Sequence, residues 1–240
     1  MADLEHEHSY EAIAERLSSV RHNYIRDFIY GGIDGSVTTF AVVSGVAGAE
    51  LSTVVVLILG FANLVADGFS MAASNFLGTK AEHDDYRRIE AIERRHIDVA
   101  PEGEREEVRQ IFINKGFEGE ALEQAVELIT SDKEIWVKTM LAEEYGLAAE
   151  IRSPWKAALS TFAAFLICGL IPLVPYLFAI GSKFQISAIL TGITFFLIGS
   201  LKSFWSTSSW LRSGMETLLV GGLAASLAYA VGVLLKGIAG

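Results

Sequence analysis

The chain has 240 residues, 51% of them hydrophobic, with a formal net charge of −10 and a mean hydropathy of +0.38. A single soluble domain seldom combines these values, and so acidic a chain offers nothing to a nucleic-acid backbone, so no nucleic-acid partner is expected. Cys168 is the sole cysteine, which excludes an intrachain disulfide and any thiolate cluster built from one protomer.

Charge is segregated along the chain. Residues 80–153 hold 19 of the 29 acidic and 11 of the 19 basic residues, whereas everything after residue 153 contains only Glu216 and five Lys or Arg. Residues 28–79 contain no Lys or Arg at all. The order reads as membrane, water, membrane. The fold class expected is all-α: a polytopic membrane protein with five transmembrane helices and a cytoplasmic helical metal-binding insert between the second and third.

Residues 1–26 form an N-terminal cytoplasmic arm. It lacks a basic stretch followed by an apolar one, so no cleaved signal peptide is expected. Its Glu5-His6-Glu7-His8 has chelating groups, but four polar residues in a terminal arm read as solvated. Beyond it, a transmembrane helix needs about 20 mostly apolar residues. Stretches 28–49, 52–78, 155–180, 185–207 and 213–235 qualify, which divides the chain into helices 1–2 (27–79), the insert (80–153) and helices 3–5 (154–240). Arg16, Arg21 and Arg26 precede the first span, and Lys80, Arg87, Arg88, Arg152 and Lys156 flank the insert. Lys202 and Arg212 flank the link between spans four and five, against Lys183 and Lys236 at the opposite side. This bias puts the N-terminus and insert in the cytoplasm and, with five spans, the C-terminus on the other side.

Asp34 lies in the first span, within Tyr30-Gly31-Gly32-Ile33-Asp34-Gly35, and Asp67 lies in the second. Neither has a local cationic partner. Ionisable groups at membrane depth are costly and mark ion pathways, so the pair points to transport. Asn63, Asp67 and Met71 stand at i, i+4 and i+8 and line one stripe of the second helix, beside Ser70 and Ser74. The competing reading makes Asn63 and Asp67 an interhelical hydrogen bond and Met71 a gap-filler. Gly31 with Gly35, and Ser44 with Gly48, form small-xxx-small faces for close helix approach.

The insert predicts three helices, over 102–115, 118–130 and 131–149, while 81–99 continues the second span. Residues three or four apart share a helix face, so Glu93 with His96, Glu104 with Glu107, and Met140 with Glu144 each offer a ligand pair. Carboxylates with one imidazole and one thioether suit Fe²⁺ or Mn²⁺ better than Ca²⁺ or Mg²⁺. The bland alternative is a solvated surface, in which Glu90–Arg94, Glu102–Arg105 and Glu106–Arg109 pair at helical spacing. Glu93-Arg94-Arg95-His96 also spells the Glu-x-x-His of di-iron carboxylate bundles, which need two copies where the insert has one. In the third span Pro172 and Pro175 predict a kink or an end. Glu216 opens the fifth span near Lys202 and Arg212 and is expected to pair with one of them.

The order and spacing of several short motifs resemble the vacuolar iron transporter family over about residues 24–235. They are Arg26-Asp27, Asp34-Gly35, Ser44-Gly45, Ser70-Met71, Lys80-x-Glu82, Trp136 with Met140 and Glu144-x-Gly146-Leu147, Ile171-Pro172-Leu173-x-Pro175-Tyr176, and Arg212-Ser213 with Glu216-Thr217. The resemblance implies a homodimeric five-span exporter of cytosolic Fe²⁺, often also Mn²⁺, driven by proton antiport, with a metal path at the dimer interface. Carried over, Asp34 and Met71 line that path, and Glu93, Glu104, Glu107, Met140 and Glu144 hold metal in the insert. Two positions depart: His96 replaces an insert glutamate, and Asn63 replaces a glutamate of the second span, with Asp67 one turn later taking its place.

The expectation is therefore a carrier and not an enzyme. Fe²⁺ or Mn²⁺ is its transported and regulatory ligand, no cofactor is permanently bound, and proton and metal compete for the Asp34 and Asp67 oxygens. The multi-pass chain is expected in the bilayer of the cell (inner) membrane in preference to a vacuolar one. The rival readings are a membrane-anchored di-iron ferroxidase and a metal-buffering or sensing protein.

Overall fold

The computed structural model describes residues 9–18, 23–147, 152–178 and 180–237. Every regular element among them is helical: α1 Tyr10–Ser18, α2 Ile25–Gly48, α3 Thr53–Val99, α4 Pro101–Asn114, α5 Gly119–Thr130, α6 Lys133–Glu143, α7 Pro154–Leu170, α8 Val174–Leu177, α9 Lys183–Leu201 and α10 Trp210–Leu235. The Glu5–His8 motif lies outside the described residues. The chain forms two compact units, one of His22–Leu77 with Pro154–Gly240, the other of Met1–Arg21 with Gly78–Ser153. Helix α3 contributes to both.

In the first unit α2 is the central helix, packed against α7, α9 and α10. Small residues make this possible. A Cβ placed on Gly31 would fall 2.3 Å from the Thr161 carbonyl oxygen, and one on Gly232 of α10 would fall 2.0 Å from that of Gly45. At such distances no side chain fits, so the expected glycine faces are real contact faces. The apolar core is built around Phe40, Val43, Leu64, Phe165, Leu173 and Phe195.

Four helical stretches are long and apolar enough to cross a membrane: Thr53–Val99, Pro154–Leu177, Lys183–Trp205 and Trp210–Leu235. Helix α2 has the length, 24 residues, but falls short in hydropathy because Asp34 and its glycines, serines and threonines dilute the apolar residues. The reason is positional. A helix enclosed by three others meets protein rather than lipid, and close packing selects small residues over large apolar ones. Of the five stretches expected from the sequence, four meet this measure, and the remaining one is the enclosed helix α2.

As expected, the prolines end α7. A single 3₁₀ turn, Ile171–Leu173, separates it from α8, and the Pro172 carbonyl is satisfied by the buried Ser187 hydroxyl at 2.7 Å.

In the second unit α4, α5 and α6 pack on the distal part of α3 around Val108, Val126, Trp136, Val137, Met140 and Leu141. Helix α6 stops at Glu143, earlier than the predicted 149. Gly146 takes φ +64°, and the Tyr145 and Leu147 amides fold back onto the Met140 and Leu141 carbonyls. A glycine in the left-handed region closes a helix in this way at little cost.

Candidate metal centre and membrane carboxylates

The second unit brings three of the predicted ligands together. Helix α3 places Glu93 and His96 one turn apart, and Pro101 at the start of α4 turns the chain so that Glu104 meets them. One ligand atom from each of Glu93, His96 and Glu104 lies within 4.8 Å of the others. His96 Nδ1 is 3.3 Å from Glu104 Oε1 and 3.9 Å from Glu93 Oε1. Glu93 is 1% exposed and Glu104 5%, whereas His96 faces solvent and forms the open side of the cluster.

The polar accounting around these carboxylates is incomplete. The Tyr145 hydroxyl donates to Glu93 Oε1 at 2.9 Å, but Glu93 Oε2 and Glu104 Oε2 are buried with no hydrogen-bond partner among the described residues. Buried oxygens of this kind cost about 1–3 kcal/mol each and mark where a cation fits. Burial, then the charges of Glu107, Glu93 and Glu144, push the Glu104 carboxyl up to about 7. Glu144, just past the end of α6, is raised by burial and by Glu93 and Glu107. Glu107 therefore belongs to the same field of four carboxylates. Met140 is wholly buried in the apolar core of the unit. Three helices surround a site that can hold a cation and, when empty, a proton.

The solvated alternative holds elsewhere on the same surface. Arg94 pairs with Glu90 and with Glu134 at 2.6 Å, and Arg109 pairs with Glu106 and Glu123. The expected Glu102–Arg105 pair does not form among the described residues; Glu102 lies in the first turn of α4, where an acidic side chain complements the helix dipole.

In the first unit Asp34 is half-buried on α2, and the charge of Asp67 on α3 acts on it. Neither makes an ion pair among the described residues. Asp67 faces outward from the single protomer. Asn63 takes the structural role anticipated as its alternative: its amide donates to Thr38 and Thr39 of α2 at 3.1 and 3.2 Å. Met71 packs partly buried against the core. Glu216 pairs with Arg212 at 3.2 Å.

Two groups escaped the sequence. Tyr145 orients Glu93 from 52 residues away, and no spacing pattern announces such a contact. Asp27, 6% exposed, accepts from Asn75 at 2.9 Å, and Asn75 also donates to Thr161 at 2.8 Å, tying α2, α3 and α7 together. An acidic residue beside Arg26 at the mouth of an apolar run was the available signal.

Long apolar helices joined to a Glu, His and Glu cluster with two buried carboxylates define an integral membrane protein with converging metal-ligand groups. The sequence model of the VIT family matches residues 25–233, and the chain belongs to that family. It is 31% identical over 238 residues to the vacuolar iron transporter of Toxoplasma gondii, covering 94% of this chain and 79% of that one. Identity is 30% over 243 residues to the vacuolar iron transporter of Plasmodium berghei, covering 96% and 89%. It is 32% over 210 residues to vacuolar iron transporter 1 of Arabidopsis thaliana, covering 85% and 83%. The protein is a transporter rather than an enzyme.

Proposed function

We propose that the protein exports cytosolic Fe²⁺, and also Mn²⁺, in exchange for protons, as a homodimer of five-span protomers. The observation that carries this reading is the coexistence of two acidic centres: the Glu93, His96 and Glu104 cluster with its two buried carboxylates, and the Asp34 and Asp67 pair on helices of membrane-spanning length. Helix α2 serves as the fifth span, since its 24 residues extend about 36 Å, more than the hydrocarbon thickness.

In this reading Glu93, His96, Glu104, Glu107, Met140 and Glu144 collect the cation on the cytosolic side. Asp34, Asp67 and Met71 pass it through the membrane unit, and Asn63 holds α3 to α2 beside them. A carboxylate binds metal only when deprotonated, so protons arriving from the far side release the cation and reset the carrier. The outward position of Asp67 supports a second copy. A carboxylate left facing hydrocarbon costs about 3 kcal/mol, and a partner protomer removes that exposure while enclosing the path. The expectation of a cell membrane stands against the vacuolar location in the relatives' names; fractionation of cells expressing a tagged chain decides between them.

The test is flux into proteoliposomes for Fe²⁺, Mn²⁺, Co²⁺ and Zn²⁺, with and without a pH gradient. Gradient-driven uptake of Fe²⁺ and Mn²⁺ that disappears in Asp34→Ala and Asp67→Ala is expected. Uptake at the parent rate in both variants would overturn the mechanism.

A further inference from the structure

We propose that the end of the membrane unit where α2 begins and α9 ends binds an anionic phospholipid, its phosphate held between Arg26 and Lys202. A cavity of about 370 Å³ lies there, and these two cations share its lining with no carboxylate among the lining residues. Three of the four other basic residues of the unit are engaged. Arg212 pairs with Glu216, Lys236 with Glu50, and Lys183 donates to Thr53. Arg26 and Lys202 have no ion-pair partner among the described residues, and two uncompensated cations facing one cavity are an anion site in waiting.

The rest of the lining says which kind of anion. Arg26, Tyr30 and Ile33 stand at i, i+4 and i+7 and share one face of α2. Ile33 is about 10 Å further along the helix than Arg26. Ile29 belongs to a small buried apolar cluster, and Ile33 and Trp205 pack against it. The cavity thus grades from cationic at its mouth to apolar at depth. Tyr30 and Trp205 share the lining, and amphipathic rings of this kind mark the level of lipid headgroups. A free phosphate makes no use of the apolar wall, and a zwitterionic headgroup brings a cation toward Arg26 and Lys202. An anionic phospholipid matches both ends, as basic pockets between transmembrane helices do elsewhere. The inference rests on the helices lying in a bilayer and not on the transport reading, so either can fail without the other.

The experiment uses the full chain in mild detergent, with bound lipid counted by native mass spectrometry after addition of phosphatidylglycerol or phosphatidylcholine of identical acyl chains. Phosphatidylglycerol is expected to be retained about 30-fold more strongly, from the typical contribution of two basic residues. The Arg26→Ala, Lys202→Ala double variant is expected to fall to the phosphatidylcholine level, while Arg26→Lys with Lys202→Arg keeps the preference. Inorganic phosphate at millimolar concentration is expected to leave the bound lipid in place. Equal retention of the two lipids, retention undiminished in the double variant, or displacement by inorganic phosphate would each overturn the proposal. If the alanine pair elutes aggregated, Lys202→Gln alone carries the same comparison, with loss of the preference expected and its persistence decisive against the site.

Discussion

Glu104 is the residue on which proton and metal meet. Its folded-state pKa, raised to about 7 by burial and neighbouring carboxylates, lies above the ordinary value of 4.5, so the folded chain holds this proton more tightly than the unfolded chain does. Stability from that proton is present at low pH and is lost as pH rises from 4.5 through 7. Without metal, the protein in detergent is expected to melt at a lower temperature at pH 8 than at pH 5.5. With saturating Mn²⁺ the order should reverse, because the cation replaces the lost proton; an unchanged order in thermal melts would remove Glu104 from the site. Metal affinity should fall by up to tenfold per pH unit below 7, the slope of one competing proton. Tyr145 acts through Glu93, which it orients by Oε1 and not by Oε2. Tyr145→Phe is expected to weaken calorimetric Mn²⁺ binding about tenfold, the usual cost of losing a group that positions a ligand. Glu104→Gln should cost more than that.

At the scale of elements, the glycine pattern of α2 could be read from the sequence, but its meaning depends on what lies opposite. Gly31 touches the Thr161 backbone, so Gly31→Ala must push α7 away and is expected to destabilise the membrane unit by about 1–3 kcal/mol, visible as a lower melting temperature in detergent. Gly78 is the control, since a Cβ there meets nothing within 4 Å and Gly78→Ala should be neutral or slightly stabilising. Helical spacing put Glu93 beside His96 because both lie on α3. It could not bring in Glu104, which arrives on α4 through the turn at Ala100 and Pro101. The same spacing offered Asn63 as part of an ion path, and only the threonines of α2 opposite it give it a structural partner.

For the molecule as a whole, the membrane part of α3 leaves a long apolar face exposed on the single protomer. Val54, Ile58, Val65 and Phe69 are exposed along it together with Asp67. An apolar face needs no partner in a bilayer, but a carboxylate in that face does. A single cysteine placed by Val65→Cys, in a Cys168→Ala background, is expected to cross-link two copies in membranes. Its failure to do so while Val231→Cys succeeds would move the dimer contact to α10.

Hydropathy and charge order along the chain determined by themselves that this is an all-helical membrane protein with an acidic unit after the second apolar stretch. Both follow from solvent preference, which acts residue by residue and survives in a linear string. Tertiary structure alone decided that α2 is enclosed by α7, α9 and α10, that Glu93, His96 and Glu104 converge with two carboxylate oxygens unpaired among the described residues, and that Tyr145 holds Glu93 through its other oxygen. Contacts between residues far apart in sequence depend on where helices turn and how closely they approach. Backbone geometry at a few prolines and glycines sets both.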